Sequence, residues 1–185
     1  MVEIKAKNPE KVLKGKKSRA QGADFEKRVR ADLESKNFIV DKWSNNVEFG
    51  HTDTHDGKFV PVKWKDLTLK NGDHYPGPVA RLVQAKPKFL FIKGRMQMVG
   101  NSSGFPDFVV WHKDLNLQVE KQLKGQDHHC VGTFAVESKM TGILDAEEKE
   151  KCRWLLRNKI FTKILIASKT KVKNRIVIDY KEFEP

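Results

Sequence analysis

The chain has 185 residues, enough for one domain with a substantial core and room for an inserted segment. It is 38% hydrophobic and 32% charged, and 36 Lys and Arg against 24 Asp and Glu give a net charge of +12, which points to polyanionic partners and above all to nucleic acid. No run approaches the ~20 apolar residues of a membrane helix, no apolar signal core stands at the Lys-rich start, and Cys130 and Cys152 make no disulfide framework, so a reducing, cytoplasmic setting without membrane is expected.

Residues 1–18 read as a basic, weakly ordered arm: Lys5, Lys7, Lys11, Lys14, Lys16 and Lys17, continued by Arg19, with few apolar residues between them. Such an arm either touches phosphates without reading sequence or is a solvated tail. From residue 19 onward a single domain is expected. Gln21 to Lys36 reads as an amphipathic helix, with Phe25, Val29 and Leu33 on one stripe and Asn37 as its stop. Glu26 lies beside Phe25, at the edge of that stripe. Phe38-Ile39-Val40 follows as a strand.

Residues 45–103 read as a long β-rich segment, which the resemblance given below makes an insertion. Phe59 to Trp64 has strand composition, and Pro61 assigns it to a sheet edge. Turns are expected at Asn71-Gly72-Asp73 and Pro76-Gly77-Pro78, and strands at Val79–Gln84 and Phe89–Ile92. Lys86, Lys88, Lys93 and Arg95 interleave with Phe89 and Phe91. That mixture suits nucleic-acid backbones and exposed bases; the two aromatics are equally readable as core. His51, Asp53 and His55 alternate as metal ligands do, but between Gly50 and Gly57 they read as an exposed loop. His128-His129-Cys130 cannot converge on a strand without a turn.

Asn101 to Gly104 reads as a flexible lead-in that permits close backbone approach. Phe108 to Trp111 reads as a strand, and Leu115, Leu117 and Val119 alternate as a further one before a turn at Lys124 to Asp127. Phe134 to Lys139 is the next strand. Residues two apart share a strand face, so Glu137 and Lys139 project together while Phe134, Val136 and Met140 point to the opposite, core side. Asp107 at the head of one strand, with Glu137 and Lys139 on the next, makes a magnesium–phosphate site: carboxylates are hard ligands for Mg²⁺, and an ammonium is a point charge for phosphate or water. Asp145 is an expected N-cap, with Glu148 closing a capping box, for a helix reaching about Arg157. Lys163–Ser168 and Arg175–Tyr180 close the core as strands. The whole is expected to be α/β, a mixed sheet flanked by helices.

Pro106-Asp107 followed by Glu137-Ser138-Lys139 resembles the motif of the PD-(D/E)XK, restriction-endonuclease-like nuclease superfamily. A basic arm, then Gly22-Ala23-Asp24-Phe25-Glu26 on a helix, then a strand, looks most like the archaeal Holliday junction resolvases within it. The likeness covers Ser18 to Trp43 and Gly104 to Ser168 and leaves the insertion unexplained. It implies a restriction-endonuclease-like core and a Mg²⁺-dependent endonuclease, with Mn²⁺ able to substitute, acting as a homodimer on branched DNA. It implies that Asp107, Glu137 and the Ser138 carbonyl bind the metal, that Glu26 reaches the same ion or a second one, and that Lys139 acts on the attacking water. Ser44, in the loop after the first strand, matches a functional serine of the resolvases. The later helix of such enzymes often offers a Gln; none stands here, and Lys149 or Lys151 is the substitute. Two alternatives stay open: the same chemistry on flaps, nicks, single strands or a specific duplex sequence, and a non-catalytic nucleic-acid binder.

Overall fold

The computed structural model describes residues 9–53, 57–67, 79–85, 87–92, 95–101, 104–112, 133–173 and 175–185. Helix α1 (Pro9–Ser35) begins twelve residues before the expected Gln21, so the 9–18 part of the basic arm is helical where weak order was expected. The local chemistry accounts for this. Proline suits a first helical position, Glu10 in the first turn favours the helix dipole, and the Lys, Arg and Ala that follow are good helix formers. The helix ends at Ser35, and Asn37 adopts a positive φ of 67°.

Ten strands follow among the described residues: β1 (Phe38–Lys42), β2 (Asn45–Thr52), β3 (Phe59–Pro61), β4 (Val79–Gln84), β5 (Pro87–Ile92), β6 (Arg95–Asn101), β7 (Phe108–His112), β8 (Phe134–Ser138), β9 (Ile164–Val172) and β10 (Arg175–Glu182). A short helix α2 (Trp64–Leu67) follows β3, and α3 (Ala146–Arg157) joins β8 to β9. The main sheet has five strands in the order β1-β7-β8-β9-β10. It is mixed: β8 and β9 are parallel and the other neighbours antiparallel. A parallel pair needs a crossover, and α3 supplies it.

The sheet is covered on both faces. Phe25, Val29 and Leu33 of α1 pack with Val40, Phe108, Val110, Phe134 and Val136. On the other face, Cys152 and Leu155 of α3 pack with Ala135, Ile164 and Ile166. Each large side chain removed from water here stabilises the fold by roughly 2 kcal/mol. Phe134 and Val136 of β8 face the core as the sequence indicates, but Met140, expected on the same side, is exposed.

The strands between Asn45 and Asn101 form a three-stranded sheet, β3-β2-β4, and a β5-β6 hairpin. Val47 and Phe49 of β2 join the core on the α3 side. β2 had no sequence signal, because its burial is supplied by that tertiary packing. The expected strand at Phe59 to Trp64 is shorter: it stops at Pro61, at the sheet edge, and Trp64 opens α2. The expected strand at Leu115–Val119, the turns at Asn71–Asp73, Pro76–Pro78 and Lys124–Asp127, and the His128–Cys130 trio lie outside the described residues.

One backbone crossing sets the start of β7. The Trp43 N–H donates to the Asp107 carbonyl at 3.1 Å, and the Phe105 N–H donates to the Asn45 carbonyl at 2.9 Å. A side chain at Gly104 would place its Cβ 2.1 Å from the Trp43 carbonyl oxygen. The segment was expected to touch a DNA backbone or to be a plain turn; the close approach seen at Gly104 is to the chain's own backbone. Gly104→Ala is expected to cost about 3 kcal/mol by overpacking. Gly22→Ala, which meets nothing within 4 Å on helix α1, should gain about 0.5 kcal/mol. Urea melts of the two variants check the contrast.

Candidate active site: two buried carboxylates between lysines

Asp107 and Glu137 are both buried. The β7–β8 register brings them together: Phe108 lies opposite Val136, so the next pair beyond it is Asp107 with Glu137. Each carboxylate accepts a backbone N–H from the other strand. The Asp107 N–H donates to Glu137 Oε2 at 3.0 Å, and the Ser138 N–H donates to Asp107 Oδ2 at 2.9 Å.

The second oxygen of each carboxylate faces a lysine. Glu137 Oε1 lies 3.2 Å from Lys139 Nζ, and Asp107 Oδ1 lies 3.7 Å from Lys42 Nζ. Each lysine then reaches a second carboxylate. Lys139 donates to Glu148 of α3, and Lys42 donates to Glu26 of α1 at 2.5 Å. A chain of charges results: Glu26, Lys42, Asp107, Glu137, Lys139, Glu148. Four carboxylates face two ammonium groups.

The electrostatics follow from this order. Burial is the main cause pushing the Glu137 carboxyl up to about 8, and the neighbouring Asp107 charge adds to it. Asp107 is also raised, by burial and by the Glu26 charge, against the Ser138 N–H and Lys42. Burial disfavours the Lys139 ammonium, but its hydrogen bond with Glu148 and the charge of Glu137 outweigh that, and the net shift is upward. Lys139 therefore stays charged at neutral pH, and a charged ammonium has no lone pair with which to accept a proton.

The sites expected from sequence distribute as follows. Asp107, Glu137, Ser138 and Lys139 are together. Glu26 is half-buried on α1, across the sheet from α3, and shares Lys42 with Asp107 as an ion-pair partner. Among the described residues, no group of three or more His, Cys, Asp or Glu side chains forms a ready metal cage. Lys14, Lys16, Lys17 and Arg19 are exposed on the first half of α1. Ser44 is exposed, and its carbonyl accepts the Ala85 N–H at 2.7 Å. Arg95 opens β6 and is exposed; Lys88 lies on β5. Lys86, Lys93 and His55 lie outside the described residues. Lys149 is exposed, whereas Lys151 is buried, pairs with Glu147 at 2.8 Å and sits over the Phe105 ring.

Two site residues escaped the sequence reading. Glu148 was accounted for by its capping box, which is present: its backbone N–H donates to Asp145 and its Oε2 accepts the Asp145 N–H. Its other oxygen is the one that holds Lys139. Thus Glu148, and neither Lys149 nor Lys151, is the α3 residue that enters the site. Lys42 ends β1 and is placed opposite Phe108 only by the β1–β7 register.

A hard divalent cation suits this donor set. Mg²⁺ is commonly held by one or two carboxylates with waters completing its shell. Asp107 and Glu137 each keep one oxygen clear of backbone hydrogen bonds, and the cluster carries two more carboxylates than ammonium groups. The chain matches no protein-family model, no curated protein and no solved structure. Among the described residues, no helix is long and apolar enough to cross a membrane.

The raised Glu137 carboxyl has a consequence for stability. Between the ordinary 4.5 and about 8, the folded chain holds a proton that the unfolded chain has released, so stability falls as pH rises through that window. Asp107 acts in the same direction. In EDTA, the melting temperature should decline across the window and level off above it, and Glu137→Gln should flatten the decline. A wild-type melting temperature that rises there contradicts the assigned environment.

Proposed function

We propose that this chain is a Mg²⁺-dependent endonuclease that hydrolyses DNA phosphodiesters. The observation that carries the reading is the pairing of buried Asp107 and Glu137 at adjacent strand ends, with Lys139 held charged beside them. The element order supports a restriction-endonuclease-like core: a helix carrying Glu26, a strand, two strands carrying Asp107 and Glu137, a crossover helix and two closing strands. The +12 charge and the exposed Lys14, Lys16, Lys17 and Arg19 of α1 favour a nucleic-acid substrate.

Asp107 and Glu137, with the Ser138 carbonyl, would hold the ion, and Glu26 would approach through water. When bound, the ion supplies Lewis-acid stabilisation of phosphoryl charge and activation of water, with Mn²⁺ able to take its place. Lys139, fixed by Glu148, offers its ammonium to the phosphate. Glu148 prevents Lys139 from swinging away and keeps it protonated. The substrate proposed is branched DNA, the four-way junction foremost, cut by a homodimer, because such a junction needs two symmetry-related incisions. A non-catalytic nucleic-acid binder is the competing reading, favoured by the lack of a three-carboxylate cage among the described residues.

A cleavage assay with Mg²⁺ on a four-way junction, a flap, a nicked duplex and plain duplex separates these readings. Cleavage should be fastest on the junction and stop in EDTA. Asp107→Ala, Glu137→Ala and Lys139→Ala should each lower the rate roughly a hundredfold or more, while DNA binding survives. Equal nicking of all four substrates removes the junction assignment; normal cutting by the three variants removes the site. Tight binding in EDTA with no cleavage in Mg²⁺ or Mn²⁺ leaves the binder. Binding should also weaken steeply with added salt, and neutralising Lys14, Lys16 and Lys17 together should reduce that salt slope by about three.

A further inference from the structure

Lys42 stands where the carboxylate cluster most needs a cation. Its Nζ lies 2.5 Å from Glu26 Oε2 and 3.7 Å from Asp107 Oδ1. That Asp107 oxygen is the one free of backbone hydrogen bonding, since Oδ2 accepts the Ser138 N–H. The β1–β7 register fixes the position: Lys42 lies opposite Phe108, the residue after Asp107, and the ammonium sits 4.8 Å from the centre of the Phe108 ring. No other described lysine or arginine forms an ion pair with Glu26 or Asp107.

We propose that Lys42 is an internal counter-ion, which a divalent cation displaces from Glu26 and Asp107 when it binds. The inference rests on the metal reading of Asp107 and Glu137 given above. Two features suit Lys42 to exchange with a metal. Its side chain is 48% exposed, so its ammonium can turn into water with little desolvation to recover. Its pair with Glu26, 48% and 33% exposed, is of the weak surface kind, and its contact with buried Asp107 is long at 3.7 Å, so a doubly charged ion can take its place. Until it does, Lys42 screens the repulsion between Glu26 and Asp107. Displacement has a second effect: it frees a cation beside Asp107. Lys42 thus sets the apparent metal affinity and links metal binding to a new positive charge at the site.

The test is Mn²⁺ binding by titration calorimetry to the wild-type protein and to Lys42→Met, which keeps the aliphatic stem over Phe108. If Lys42 occupies its carboxylates in about nine molecules of ten, removing it should tighten Mn²⁺ binding about tenfold. Lys163→Met, the same loss of charge at the other end of β8, should leave the affinity within about twofold of wild type and so controls for general electrostatics. Equal or weaker Mn²⁺ binding by Lys42→Met overturns the proposal while leaving the metal site standing. Absence of Mn²⁺ binding in both proteins overturns the metal reading and this inference with it. Should Lys42→Met not fold, Mg²⁺ titration of the wild-type protein reads the same event. The Lys42 side-chain ammonium resonance should move to its solvent-exposed position as Mg²⁺ saturates, and a resonance that stays in place while Mg²⁺ binds overturns the proposal.

Discussion

Two carboxyl groups buried side by side are the constraint around which this molecule is arranged. Asp107 and Glu137 extend the β7–β8 ladder with side-chain acceptors, each taking the other strand's N–H. That exchange satisfies two backbone donors and locks both carboxylates in place. It also holds them where burial favours a bound proton, with the Asp107 charge adding to it at Glu137 and the Glu26 charge at Asp107. Placing two carboxyl groups this way for packing alone would be costly, since apolar side chains of similar volume are often neutral or stabilising in place of buried charge. The arrangement makes sense if something positive is to be held there.

Positions around the pair follow from that need. Strand alternation sends Phe134 and Val136 toward α1 and leaves Ala135 and Glu137 toward α3. The sheet therefore divides the cluster. Lys139 and Glu148 stand on one side of the carboxyl pair, Lys42 and Glu26 on the other. The α1 stripe of Phe25, Val29 and Leu33 fixes the helix on the sheet, and Glu26 follows Phe25 to the rim because the helical period leaves it no other place. The capping box of α3 works in the same way. Glu148 is held by its bond from the Asp145 N–H, and the oxygen left over is aimed at Lys139.

The legible parts of the sequence were those where one local rule decides the outcome. The period of two in Phe134 to Lys139 placed Glu137 and Lys139 on one face, and the Asp145–Glu148 spacing announced the start of α3. The mixed α/β sheet followed from the alternation of apolar runs with helical patterns. What stayed hidden was tertiary. Lys42 is one lysine among many until the β1–β7 register sets it opposite Phe108. Glu148 met a local requirement so fully that its second bond left no trace in the sequence. β2 takes its stability from packing on the α3 side, and its own string, with Asn45, Asn46, Glu48 and His51 among few apolar residues, gives no strand period. The helical start of α1 was masked by the same lysines that suggested a loose arm, because charge density and helix propensity point in opposite directions there.

The two lysines differ in a way that assigns them different work. Lys139 is half-buried between Glu137 and Glu148, both largely withdrawn from water, and its proton is held more tightly than in a free lysine. Such a group cannot leave without stranding two carboxylates, so its charge is a permanent part of the site. Lys42 is about half exposed, and of its two partners Glu26 also faces solvent. Its departure leaves one buried carboxylate, Asp107, without its cation, and Asp107 is the one that a metal would neutralise in turn. On the proposed metal reading, a fixed cation on the α3 side and an exchangeable one on the α1 side give the buried pair a direction: charge is replaced from the α1 side while the α3 side keeps the geometry.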